Sequence, residues 1–254
     1  MVNQGLQNLR RQFLLRAHNT ELWASYRPQL PGWLYLLPLA GSGLIVMAFA
    51  LVPAPQLTGR IVLSVSGVLL CVPFVLLARF AWRNKRRRTA VRQTILDAVP
   101  WRGDEAVLDV GCGSGMLLNG AAARLKTGTA LGIDIWVDHG GGGNLDLLMK
   151  HARAENVADR ISFQEIDARQ MPFEDASFDV VLSSWAIHHI IRSSEDFENT
   201  VQEMLRILRP GGTMVILDVA HMVEVIAMRM EAAGLQAEFR DGPNGQKFVV
   251  GRKI

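Results

Sequence analysis

The stretch Ala106-Val107-Leu108-Asp109-Val110-Gly111-Cys112-Gly113-Ser114-Gly115 constrains this chain more than any other: a short apolar run with an acid near its end passes straight into a turn of alternating glycines. Glycine admits the positive φ such a turn needs and lets a ligand approach where a Cβ would block it. A second apolar run, Ala130-Leu131-Gly132-Ile133-Asp134, also ends in an acid. An acid closing the second strand of a doubly wound sheet accepts hydrogen bonds from a ribose. Together the two runs read as a site for a nucleotide-type ligand. A dinucleotide turn requires G-x-G-x-x-G, but Met116 stands where the last glycine would fall, and no phosphate-loop lysine follows. The spacing disfavours a nicotinamide-dependent oxidoreductase and fits a ligand without phosphate.

The segment Asp109-Val110-Gly111-Cys112-Gly113-Ser114-Gly115 resembles motif I of the class I S-adenosylmethionine-dependent methyltransferases. Further blocks follow in that family's order. Phe163 to Ala168 resembles the strand whose terminal acid faces the adenine amino group. Phe178 to Ser184, followed by Trp185 to His189, resembles the fourth strand and the lip of the active site. Leu205 to Thr213, with Pro210-Gly211-Gly212, resembles the helix end and turn before strand five. The resemblance spans roughly residues 90–254 and implies S-adenosyl-L-methionine as cofactor, with Asp109, Gly111, Cys112, Gly113, Gly115, Asp134, Ile135, Asp167, Ala168 and Ser183 around it.

Some of those roles have alternatives. Asp109 either positions the methionine end of the cofactor or caps the helix after the turn, and Asp167 is an adenine ligand or a surface acid. Ile135 and Trp136 pack against the adenine or ribose, or Trp136 covers the loop Gly140 to Gly143. His188 and His189 are the candidate acid–base groups, since an imidazole titrates near neutrality. Methyl transfer rests chiefly on alignment, however, and does not require a base.

Alternating elements are expected: helix 86–99, strand 105–110, helix 115–125, strand 129–134, helix 144–155, strands 160–166 and 178–183, helix 195–208, strand 213–219, helix 221–233, and strands 236–241 and 246–252 joined as a hairpin. The pattern predicts an α/β fold, a doubly wound, mainly parallel seven-stranded sheet with an antiparallel last strand. Cys71 and Cys112 have no evident partners, and no Cys/His cluster has metal-ligand spacing, so no metal site is expected.

The N-terminal third is of another kind. Trp33 to Val52 and Ile61 to Ala78 carry no charge, and the turn-rich Pro53 to Arg60 joins them. Both runs approach the roughly 20 apolar residues that cross a bilayer as a helix. The organisation expected is a basic segment 1–32, a transmembrane hairpin 33–82 with spans 33–52 and 61–80, a basic linker and first helix 83–104, and a methyltransferase domain 105–254. Residues 1–88 hold 11 of the 27 Lys and Arg but 1 of the 24 acids, a net charge of +10, while residues 89–254 carry −7. Basic residues flank both spans, which puts both ends and the catalytic domain on the cytoplasmic side of a cell (inner) membrane. The acidic domain argues against nucleic acid as substrate. Gln4 to His18 has the spacing of an interfacial helix, or of a flexible tail by chance.

The expected function is methyl transfer to a small lipophilic acceptor such as a quinone, isoprenoid or phospholipid, at a site opening toward the bilayer. The alternative is a non-catalytic, membrane-anchored S-adenosylmethionine-binding protein.

Overall fold

In the computed structural model, residues 37–51, 57–135 and 145–254 are described. The basic segment 1–32, the beginning of the first expected span, the first half of its connector, Trp136 and Gly140 to Gly143 lie outside them. The chain divides into two compact units, 1–87 and 88–254.

Helix α1 is Leu37–Ala50 and α2 is Leu57–Asp97. α2 is 41 residues long and continues without interruption through the basic residues expected as a linker. Arginine, lysine and alanine are good helix formers, and no proline or glycine falls between Phe80 and Asp97 to stop it. Pro73 lies inside the helix. Among the described residues, one helix, Thr58–Phe80, is long and apolar enough to cross a membrane. α1 has 14 residues, about 21 Å of helix. The two helices meet backbone to backbone: a Cβ on Gly41 would lie 2.5 Å from the carbonyl oxygen of Gly67, and one on Gly67 would lie 2.4 Å from that of Gly41. Small residues at such a contact are what allow close helix packing. Cys71 donates to the Pro38 carbonyl beside it, at 3.9 Å.

The second unit holds β1 (Ala106–Val110), α3 (Met116–Ala122), β2 (Thr129–Asp134), α4 (Leu145–Ala154), β3 (Ile161–Glu165), β4 (Phe178–Ser184), α5 (Ile187–Ile190), α6 (Ser194–Ile207), β5 (Leu208–Leu217), α7 (Ala220–Ala232), β6 (Leu235–Asp241) and β7 (Lys247–Lys253). The sheet runs β3-β2-β1-β4-β5-β7-β6, with β7 antiparallel to both neighbours. The expected seven-stranded doubly wound sheet is therefore present. β5 begins at Leu208 rather than 213, because the Pro-Gly-Gly segment stays in the sheet through a register shift opposite Phe178 and Val180. The four-residue α5 has no counterpart among the elements expected from the sequence.

Successive residues of each strand face opposite sides, so the central strands are apolar on both. Val107, Val180, Leu182, Val215 and Val250 pack under the end of α2, α3 and α4. Leu108, Val110, Val181, Met214 and Ile216 pack under α6 and α7. Strand order reverses between β1 and β4, and the carboxyl ends on either side of that point form the crevice in which such sheets bind ligands.

Candidate active site

The turn after β1 is built at that crevice. Gly111, Gly113 and Gly115 take φ of +70°, +51° and +82°, the left-handed region that glycine enters without steric cost. The N–H groups of Gly111 and Cys112 donate to the Ile133 carbonyl at 2.9 and 3.1 Å, hanging the turn from the end of β2. A Cβ on Gly111 would stand 2.2 Å from that of Ala186, so the loops after β1 and β4 touch there. A Cβ on Gly113 would meet nothing within 4 Å, so this glycine faces open space. Asp134 closes the arrangement by accepting the Gly113 N–H at 2.8 Å. Beside it Ile135, 37% exposed, presents an apolar surface at the end of β2.

Not every expected ligand residue faces that space. Asp109 is buried, and its carboxylate accepts the Leu118 N–H at 2.9 Å, capping the first turn of α3. Of its two readings, this is the one the geometry displays. Burial, and secondarily the charge of Asp134, pushes the Asp109 carboxyl up to about 7, the Leu118 hydrogen bond opposing the rise. Cys112 turns its side chain inward against Gly132, where burial raises the thiol far above its ordinary range. Its side chain is thus core, and its backbone belongs to the turn. Ser183 is buried and donates to the Val110 carbonyl at 2.9 Å, stitching β4 to β1 across the crevice.

Ala168 is buried after β3, as an adenine wall would be. Asp167 beside it is held by Arg169, whose Nε lies 2.9 and 3.0 Å from the two carboxylate oxygens and whose Nη2 lies 2.6 Å from one of them. That pairing holds the Asp167 carboxyl below its ordinary value and competes with any adenine amino group for it. Arg169 also reaches Asp196 at 3.0 Å.

At the lip, Trp185 adopts φ +55°. A bulky residue in that region costs of order 1–3 kcal/mol and persists where its surroundings over-determine it. Here its N–H donates to the Leu217 carbonyl at 2.8 Å. His188 follows on α5, its Nδ1 2.7 Å from Oδ1 of Asp218, and its ring lies 3.9 Å from that of His189. Asp218 is not among the residues expected at the site, although Val215-Ile216-Leu217-Asp218 shows the same strand-then-acid pattern as β2. His151, to which the sequence assigns no role, is buried on α4 with its Nδ1 2.9 Å from the Ser114 carbonyl, bracing the glycine turn from behind. Among the described residues, no group of three or more His, Cys, Asp or Glu is placed to hold a metal.

A glycine turn at the switch point, an acid after the second strand and no phosphate-loop lysine fit an α/β domain for a ribose-bearing ligand. Residues 108–216 match the family model described as "Methyltransferase domain". Methyltransferase GfsG of Streptomyces halstedii is 38% identical over 114 residues, covering 44% of this chain and 37% of that protein. Demethylmenaquinone methyltransferase of Symbiobacterium thermophilum is 32% identical over 119 residues, covering 46% of this chain and 44% of that protein. The match thus spans less than half the length of both relatives. The crystal structure of a SAM-dependent methyltransferase from Aquifex aeolicus aligns with a TM-score of 0.51 at 16% identity, over 66% of this chain and 93% of that chain, a likeness of fold. The matched segment is similar to methyltransferase domains, and its residues fit S-adenosylmethionine as cofactor: Gly113 leaves the approach open, Asp134 stands at the end of β2, and no phosphate-loop lysine follows the turn.

Proposed function

We propose that this protein is a membrane-anchored S-adenosylmethionine-dependent methyltransferase acting on a small, lipophilic acceptor. The observation that carries the catalytic reading is the Gly113–Asp134 arrangement, an open glycine α-carbon locked beside an acid at the switch point. When bound, the cofactor supplies an electrophilic methyl on a sulfonium. The turn then excludes side chains from its path, Asp134 anchors the ribose, and Ile135 and Ala168 flank the adenine. Rate enhancement comes chiefly from holding donor and acceptor in line.

The anchor reading draws on α1 and α2. Ile61, Val62, Val65, Val68, Leu69 and Val72 on α2 are each at least 45% exposed, an apolar surface unusual for a protein facing water. The Gly41–Gly67 contact is the kind by which helices pair in lipid. At the far end of the apolar stretch, the Arg86 guanidinium lies 4.4 Å from the centroid of the Trp82 ring, and such aromatic and basic side chains favour the headgroup level. With basic residues before the first run and after the second, both ends lie in the cytoplasm. A catalytic domain tethered there meets lipophilic acceptors first, and the demethylmenaquinone methyltransferase relative is named for a quinone.

The test is to supply methyl-labelled S-adenosylmethionine to membranes from cells producing the wild type or Asp134→Ala. Label in the organic extract that is absent with Asp134→Ala is the expected result. Label only in protein or aqueous metabolites removes the lipophilic acceptor. Cofactor binding with no transfer at all favours a non-catalytic binding protein. Release of the protein by alkaline carbonate washing refutes the anchor.

A further inference from the structure

The side chains of His188 and Asp218 form a hydrogen-bonded unit beside the cofactor turn. Asp218 is buried at the carboxyl end of β5, its side chain wholly inaccessible, while the His188 side chain is 26% exposed. The carboxylate accepts the Ile187 and His188 N–H groups at 3.0 and 3.4 Å on one oxygen and the Val219 N–H at 2.7 Å on the other. Every one of these backbone partners is a donor. The fourth, His188 Nδ1 at 2.7 Å, faces the same acceptor-only environment, so Nδ1 carries a proton and, in the neutral ring, Nε2 is the nitrogen with the lone pair. The dyad also adjoins the cofactor turn, because Ala186, two residues before His188, is the residue on which a Cβ at Gly111 would collide. Trp185, strained at φ +55°, and His189, with its ring 3.9 Å from that of His188, complete the rim.

We propose that His188 is the general base of this site and Asp218 its positioning residue, and that the methyl acceptor is therefore a hydroxyl, an alcohol or phenol that must lose a proton as it is methylated. This rests on the methyl-transfer reading. An amine in its free-base form attacks with a lone pair it already has, whereas a hydroxyl oxygen becomes an adequate nucleophile as its proton leaves. In the balanced step, Nε2 takes the hydroxyl proton, the oxygen forms the bond to the methyl carbon, and the electron pair of the breaking sulfur–carbon bond stays on sulfur. The imidazolium afterwards returns its proton to solvent. His189 and Trp185 touch the base from its own segment; Asp218 is the anionic partner from β5.

Two readouts test this, one on the full chain in detergent micelles and one on membranes from cells producing it. Nitrogen-15 NMR of labelled histidine reports the ring tautomer without any acceptor. His188 is expected as the Nδ1–H form in the wild type and to lose that preference in Asp218→Asn. An Nε2–H ring in the wild type overturns the assignment. For the acceptor, the labelled product extracted from membranes is heated in hydriodic acid, which releases an O-methyl group as iodomethane. Release of the label is expected, together with a fall in incorporation of about 100-fold in Asp218→Asn and His188→Gln. S-adenosylmethionine binding by calorimetry should stay within about twofold of the wild type. Because Asp218 is buried, the partly exposed His188→Gln decides the outcome if Asp218→Asn misfolds. A wild-type rate in His188→Gln, or label that resists hydriodic acid, overturns this inference and leaves methyl transfer standing. No label from a wild type that binds the cofactor removes both.

Discussion

Alanine at Gly111 and alanine at Gly113 should fail in different ways, although the two glycines lie two residues apart in one turn. At Gly111 the new methyl would sit 2.2 Å from the Ala186 Cβ, with φ at +70°. Carbon atoms prefer about 3.5–4.0 Å, so the loops after β1 and β4 must separate by more than about 1 Å. Overpacking of that kind costs about 1–3 kcal/mol, and the left-handed backbone about 1–2 kcal/mol more. The sum, roughly 2–5 kcal/mol, is a large part of an ordinary domain's 5–15 kcal/mol. At Gly113 the methyl would meet nothing within 4 Å, and φ is +51°, so only the backbone term of about 1–2 kcal/mol applies. That methyl instead stands in the space left for the cofactor. A steric penalty of about 1–3 kcal/mol there weakens binding by roughly 5- to 150-fold. Calorimetric titration of S-adenosylmethionine into each full-length variant in micelles, with a thermal scan followed by circular dichroism, separates the two. Gly113→Ala should melt a few degrees below the wild type and bind poorly; Gly111→Ala should melt earlier still. Wild-type affinity in Gly113→Ala, or a wild-type melt in Gly111→Ala, would refute the cradle.

Three further outcomes follow from named contacts. The buried Asp109 carboxyl stands at about 7 against an ordinary 3.8, so between those values the native state holds a proton the unfolded chain has lost. Stability should then decline as pH rises through this window, by roughly 4 kcal/mol in total. Asp109→Asn, which keeps an acceptor for Leu118, should flatten the profile of denaturant midpoint between about pH 5 and 7. A wild type that is already flat there contradicts the buried-acid account. Asp167, Asp196 and Glu203, whose carboxyls are lowered by arginine and backbone donors, lose their contribution only at lower pH and leave this window clear. Arg92, on the last turns of α2, reaches across Gly120 to Glu155 with a buried two-point ion pair at 3.1 and 2.5 Å. Arg92→Met strands the Glu155 charge and should cost about 3–5 kcal/mol in chemical denaturation, a loss that Glu155→Gln in the same chain should partly recover. Gly67→Leu should drive α1 off α2 and lower the stability of that pair in micelles. S-adenosylmethionine affinity should not move, because the cofactor turn lies in the other unit.

How much of this molecule is legible without coordinates follows from what each kind of sequence signal encodes. The expected limits of β2 coincide with the observed ones, because parallel strands covered on both faces announce themselves as continuous apolar runs. The glycine turn is legible for a similar reason: the positive φ values at Gly111, Gly113 and Gly115 are a backbone demand that residue type alone expresses. Charge misleads at α2, where a run of basic residues suggests a linker although composition does not end a helix; only a breaker or a cap does. The contacts that decide roles are out of reach because they join segments far apart in the chain. Asp109 shows only as an acid near the end of a strand, and nothing local says whether its carboxylate turns to the cofactor or to Leu118. Arg169 stands two residues from Asp167, yet nothing local says that it turns back onto that carboxylate while its other nitrogen meets Asp196 from α6. His188 stands out for its chemistry, but the group its Nδ1 meets is a carboxylate 30 residues away at the end of β5. A strand ending in an acid is as informative for β5 as for β2, but a fifth strand extended to Val219 hides Asp218 as an interior residue. Ended one residue after Leu217, that strand brings Asp218 to the same edge as Asp134, and the histidine on the neighbouring loop has its partner.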